Sequence, residues 1–80
     1  MSASVGEHLE LDCKNLLCPM PIIKISQAIK LISPGGTIRM ETTDPGSKHD
    51  MAAWARQTGN ELLETGQNGR VYHFLVRRTR

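Results

Sequence analysis

Apolar residues recur along this chain with two different spacings. From His8 to Asp12 every second residue is apolar, with Leu9 and Leu11 on one side, which is the mark of a short, half-buried strand. From Pro19 to Ile32 the spacing lengthens. Ile22, Ile25, Ile29 and Ile32 fall three or four residues apart, with Lys24, Gln27 and Lys30 between them, so this segment reads as an amphipathic helix. Ser33-Pro34-Gly35-Gly36 stops the helix and turns the chain. Alternation returns from Thr37 to Thr43, with Ile38 and Met40 inward and Arg39 and Glu41 outward. Ser47-Lys48-His49-Asp50 fits a capping box with Asp in the place of Glu. The helix that follows has Met51, Trp54, Ala55 and Thr58 as its packed stripe and Gly59 as its stop. Glu61 to Thr65 reads as a short strand, Gly66-Gln67-Asn68-Gly69 as a hairpin turn, and Arg70 to Arg78 as the last strand, with Tyr72, Phe74 and Val76 on one face.

The element order βαβαββ predicts an α/β (α+β) two-layer sandwich: a four-stranded mixed sheet with both helices packed on one face. Met1 to Glu7 carries no pattern and is expected to be a flexible tail before a single domain over residues 8–80. A right-handed strand–helix–strand unit makes the first two strands parallel. The connections Cys13–Leu17 and Asp44–Ser47 then share the C-terminal edge of the sheet, the usual ligand side of open α/β sheets.

Composition narrows the setting. A chain of 80 residues forms one small domain, which buries only about 60–65% of its unfolded surface. It has no apolar run long enough for a membrane span and no basic-then-apolar leader, so a cytoplasmic protein is expected. Two cysteines are too few for a disulfide scaffold. A net charge of +2 is too small to imply nucleic acid, although Arg77-Arg78-Thr79-Arg80 gathers basic residues at the end, where they read as a solvated terminus.

Cys18 carries the chemistry of this chain. It stands between a connection and a helix entrance, in Leu17-Cys18-Pro19-Met20-Pro21. A helix N-terminus offers unpaired N–H groups and the positive end of the dipole, and both favour thiolate. Such positions lower a cysteine pKa from about 8.5 to roughly 3.5–7.5. Pro19 suits the first helical position and Pro21 still lies in the first turn, while Met20, preceding a proline, is pushed from helical geometry and delays the helix by a residue or two. A hydrolase would need a base and an orienting group. His8 lies at the far end of the sheet and His73 on the face opposite Tyr72 and Phe74, which leaves His49 alone on the correct edge. A sulfur carrier needs less. Its thiolate accepts a sulfane sulfur, and two helix N-termini can stabilise the resulting anion without a base.

The remaining candidates each have a plainer reading. Cys13 is in phase with Leu9 and Leu11 and reads as core; the alternative is a thiol that resolves a persulfide on Cys18. A zinc site from Cys13 and Cys18 lacks two further ligands, so no metal is expected. Ser47 and Asp50 are accounted for by capping, and Asp44-Pro45 by a turn. Lys48 and His49 project from the same edge, where they either attract an anionic persulfide or an acidic partner, or are simply solvated. Trp54 reads as core, and Tyr72 with Phe74 as a sheet face. A small nucleic-acid-binding module is the other functional class considered. Only three aromatic residues are present to stack on bases, and that reading leaves Cys18 without a role.

The chain resembles the TusA/SirA family of small sulfur-carrier proteins. The resemblance begins at Leu11-Asp12 and passes through Leu16-Leu17-Cys18-Pro19-Met20-Pro21. It continues in Asp44-Pro45-Gly46-Ser47, Asp50, Trp54 and Gln57-Thr58-Gly59-Asn60-Glu61-Leu62-Leu63, and ends at Tyr72-His73-Phe74-Leu75-Val76. Asn15 departs from the glycine usual in the family, and Asn is the next best residue for a left-handed backbone. The resemblance implies the same sandwich and a sulfurtransferase that holds sulfane sulfur as a persulfide on Cys18; Pro19, Pro21 and Asp44, and by their place at the edge Lys48 and His49, are the expected supporting residues. No bound cofactor is expected, and a monomer without direct nucleic-acid or membrane contact. The implied partners are a cysteine desulfurase or rhodanese as donor and another sulfur-transfer protein as acceptor. The family's end uses are tRNA 2-thiouridine formation, molybdenum cofactor supply and dissimilatory sulfur oxidation, and the runs at 44–47 and 57–63 look most like the last.

Overall fold

The protein's structure, a computed structural model, describes residues 7–80. The expected tail therefore lies outside the described residues except for Glu7. That residue is tied down: its carbonyl accepts the Thr37 N–H at 2.7 Å and its carboxylate accepts the Ser33 N–H at 2.5 Å.

Four strands and two helices follow in the predicted order: β1 His8–Cys13, α1 Met20–Ala28, β2 Thr37–Thr42, α2 Ser47–Thr58, β3 Glu61–Asn68 and β4 Val71–Arg77. The sheet order is β1-β2-β4-β3, with β1 parallel to β2 and the other pairs antiparallel. The alternation read in β2 is the alternation observed, with Ile38, Met40 and Thr42 buried and Thr37, Arg39 and Glu41 half-buried. The inward residues of the sheet meet Ile25 from α1, Ile29 from the turn that follows it, and Met51 and Trp54 from α2 in one core. Each fully buried Ile, Met or Phe here contributes about 1.5–3 kcal/mol. The Trp54 indole N–H donates to Ser26 Oγ at 3.0 Å and ties the helices together where they meet.

Four boundaries differ from the periodic reading, each for a local reason. The first helix starts at Met20 with Pro19 as its N-cap, so Pro19 does not occupy the first helical position, and Pro21 follows one residue inside. The helix tightens into a 3-10 turn over Ile29–Leu31 and ends with Ile32 extended, just before Ser33-Pro34. The second helix has Gly46 as its N-cap and makes no side-chain cap bond. The expected capping box is therefore absent, and the Ser47 hydroxyl is buried without a partner. Thr58 is exposed rather than packed, with its hydroxyl turned back to the Trp54 carbonyl at 2.8 Å.

The fourth difference is the hairpin. β3 runs on through Gly66 and Gln67 to Asn68, which pairs with Val71, so the turn is Gly69-Arg70. Gly66 is paired with His73, and a Cβ at Gly66 would collide with the His73 ring. Gly66 thus makes room for an imidazole across the ladder and is not a turn glycine. Gly59, by contrast, does stop its helix, with a left-handed φ of 78° and its N–H bonded to the Ala55 carbonyl.

The basic end is more engaged than a solvated terminus. Arg77 pairs with Glu61, Arg78 donates to the Ile32 carbonyl, and Thr79 bonds Asn60 and the Gly59 carbonyl. Among the described residues, no helix is long and apolar enough to cross a membrane.

Candidate functional site

Two connections build the site. After β1, Asn15 takes a left-handed φ of 68°, the conformation its side chain tolerates and the usual family glycine would supply. The turn lets the Asn15 N–H donate to Thr43 Oγ1 at 2.9 Å, which laces the β1–α1 connection to the β2–α2 connection. Leu16 packs down on the core and Leu17 stands out, 73% exposed. Cys18 follows, also exposed, with a cis peptide bond to Pro19. Pro21 is buried and Pro19 exposed. Both helix entrances thus open at the sheet edge predicted from topology.

Asp44 and Asp50 converge on Cys18 from the other side. Asp44 Oδ2 accepts the Cys18 N–H at 3.0 Å, and its Oδ1 accepts the Gly46 N–H at 3.2 Å. The Cys18 thiol donates to Asp50 Oδ2 at 3.3 Å. One ligand atom from each of the three residues lies within 4.8 Å of the others. A four-coordinate metal site would need another donor, and among the described residues no histidine or second cysteine joins this group.

These contacts reverse the electrostatics expected of Cys18. Its thiol is pushed above the ordinary value of 9.0, first by the hydrogen bond to Asp50, then by desolvation and by the charges of Asp50 and Asp44. The helix end does not counter this, because few of its N–H groups are free. Pro19 and Pro21 have none, the Met20 N–H donates to Leu17 O at 2.8 Å, and the Cys18 N–H is held by Asp44. At the α2 entrance the Ser47 N–H donates to the Asp44 carbonyl at 3.0 Å and Gly46 N–H to its carboxylate. The two prolines that mark the helix entrance also strip it of donors, and the carboxylates outweigh what is left. Ionisation of the Cys18 thiol is thereby disfavoured.

Other candidates are placed plainly. Cys13 is fully buried in the core, its thiol pushed up by burial, and is not a second surface thiol. Lys48 and His49 are both exposed, but neither bonds to Cys18 or its carboxylates among the described residues. Lys48 lines a cleft of about 100 Å³ with Thr65, Gln67 and Tyr72, and His49 sits beside Pro45 and Ala52. The charges that act on the thiol come from Asp44, which the sequence singled out, and from Asp50, which it did not. The capping-box pattern explained Asp50 away; the signal that could have found it is a carboxylate in the first turn of a helix whose entrance faces the cysteine. Leu17, Met20 and Ile23, all within five residues of Cys18 along the chain, are 73%, 38% and 41% exposed.

Comparison with known proteins matches the chain to a family. The family model described as sulfurtransferase TusA matches residues 9–78. The sulfur carrier protein TusA of Allochromatium vinosum is 41% identical over 70 residues, spanning 88% of this chain and 92% of that one. YrkF of Bacillus subtilis is 44% identical over 66 residues, spanning 81% of this chain and 36% of the longer protein. The crystal structure of a SirA-like protein from Desulfitobacterium hafniense superposes with a TM-score of 0.78 at 16% identity, covering 90% of this chain and 99% of its own, and so shares the fold. A protein-wide match of sequence and fold, with the cysteine at the shared edge of both helix entrances, makes this chain a member of the TusA sulfurtransferase family.

Proposed function

We propose that this protein is a sulfur carrier that holds sulfane sulfur as a persulfide on Cys18 and relays it between partner proteins. The observation that supports this most directly is the contrast between its two cysteines. Cys18 is exposed at the edge where both helices begin, and Cys13 is sealed in the core. No histidine is hydrogen-bonded to Cys18 among the described residues, so the site lacks the nucleophile–base pair of an acyl-transfer enzyme. Thiol–persulfide exchange needs an accessible sulfur and a partner's sulfur brought in line with it. Exposed Leu17, Met20 and Ile23 offer a partner protein apolar surface to cover, which would exclude water while sulfur changes hands.

The cargo sulfur is substrate, and no resident cofactor is called for. A cysteine desulfurase or rhodanese is the donor class in this reading, and another sulfur-transfer protein is the acceptor. The end use would be tRNA thiolation, cofactor synthesis or sulfur oxidation, and a reducing cytoplasm would keep Cys18 available between rounds.

The test is intact-protein mass after incubation with a rhodanese and thiosulfate, for wild type, Cys13→Ser and Cys18→Ser. The expected result is a reductant-reversible gain of one sulfur atom in wild type and Cys13→Ser and none in Cys18→Ser. Uptake by Cys18→Ser equal to wild type would sink the reading.

A further inference from the structure

We propose that Asp50 gives the carrier its direction: it holds the empty Cys18 as a hydrogen-bonded thiol and repels the loaded, anionic side chain, which turns outward toward an acceptor. The proposal rests on reading Cys18 as the persulfide carrier.

Two observations carry it. The first is the bond from Cys18 Sγ to Asp50 Oδ2, 3.3 Å long and made between residues 32 apart in the chain. The second is that Asp50 has no competing task. It caps nothing, since α2 has no side-chain cap bond, and it forms no ion pair with Lys, Arg or His among the described residues. It stands in the first turn of α2, beside the positive end of the helix dipole. Asp44 differs in being occupied twice by backbone N–H groups, from Cys18 and Gly46, and so fixes the loop that presents the sulfur. The charged groups that act on the thiol are Asp50 on α2 and Asp44 in the β2–α2 connection, and α1 with its preceding loop adds none.

In the loading step the Cys18 sulfur attacks the terminal sulfur of a donor persulfide. A Cys18 S–S bond forms as the donor S–S bond breaks, the electron pair stays on the donor sulfur, and the proton displaced from Cys18 ends on that sulfur. A thiol and a persulfide become a persulfide and a thiol, with no net oxidation. A persulfide S–H is more acidic than a thiol, so the loaded side chain is an anion at neutral pH. Where the empty carrier offered Asp50 a proton, the loaded one confronts two carboxylates with a negative sulfur. Like charges at such range disfavour the inward position. The terminal sulfur is relieved by turning outward, where an acceptor thiol would arrive.

The experiment has two arms. In the first, iodoacetamide alkylation of Cys18 is followed by intact mass from neutral to alkaline pH in wild type, Asp50→Asn and Asp44→Asn, alongside a peptide spanning residues 15–21. Wild type is expected to titrate above the peptide. Asp50→Asn is expected to titrate lower than wild type and to react severalfold faster at neutral pH, with a smaller change for Asp44→Asn. In the second, wild type and Asp50→Asn are loaded with inorganic polysulfide and discharged with free cysteine, and the variant is expected to release its sulfur severalfold more slowly. A wild-type profile at or below that of the peptide overturns the proposal whether or not any variant folds. So does a folded Asp50→Asn whose alkylation or discharge matches wild type. Absence of sulfur uptake on wild-type Cys18 sinks the carrier reading and this proposal with it, whereas normal uptake with equal discharge sinks the proposal alone.

Discussion

Cys13→Ala separates the two roles a second cysteine could have. Cys13 is fully enclosed, the last residue of β1, paired in register with Thr42. Removing its sulfur loses about 1 kcal/mol of transfer free energy. A residual hole near 20 Å³, at about 24 cal/mol per Å³, adds about 0.5 kcal/mol. The total of about 1.5 kcal/mol lowers the midpoint of thermal unfolding by about 6–12 °C in a domain of this size. Cys13→Ser keeps the volume but buries a hydroxyl, at a cost of about 1–3 kcal/mol. The assay pairs thermal unfolding by circular dichroism with sulfur loading by mass at a temperature where the variant is folded. Loading of Cys18 is expected to be unchanged, and native wild type should be alkylated once by iodoacetamide, with the second adduct appearing only in denaturant. A variant that kept its melting temperature and lost its sulfur would refute the core assignment and make Cys13 a resolving thiol.

Other changes test the frame around the site. Ser26→Ala should reduce stability by about 1 kcal/mol in chemical denaturation, because the Trp54 indole N–H loses its acceptor between the helices. Gly59→Ala should cost about 1–2 kcal/mol, since its φ of 78° is left-handed and a Cβ there would lie 2.7 Å from the Arg80 guanidinium. Acid should weaken the fold through Glu7 and Asp12, whose carboxyls the Ser33 and Lys14 N–H groups hold below their ordinary values of 4.5 and 3.8. A depressed carboxyl stabilises fully above its unfolded pKa and loses that contribution as pH falls through the folded one. Stability measured against pH should therefore be insensitive to these two groups at neutrality and decline below about pH 4.5.

The fold was largely legible because its elements are simple in period. Alternation in β1, β2 and β4 and the isoleucine spacing of α1 each have one burial solution, and the short connections leave little choice of topology. The hairpin was misplaced because Gly66 and Gly69 look alike in a sequence, and only the His73 ring across the ladder shows that one is a spacer and the other a turn. Cys18 was legible from its place at a helix entrance. The character of its thiol was not, because that depends on which N–H groups are free and which carboxylates are near. Asp44 and Asp50 come from 26 and 32 residues away, and no local pattern carries such a contact.

The irregularity in β3 bears on how such a protein behaves at high concentration. β3 is an outer strand of the sheet, and its pairing with β4 slips between Leu62 and Glu64, leaving Leu63 out of register and 46% exposed. A free strand edge is a template on which another chain can add a strand and begin aggregating. Here the interruption bends the strand and breaks the even run of backbone donors and acceptors that an added strand must match. The charges of Glu61 and Glu64 flank the break on either side. A small domain with exposed apolar side chains such as Leu17 elsewhere on its surface is thereby made a poor seed for β-sheet growth along this side.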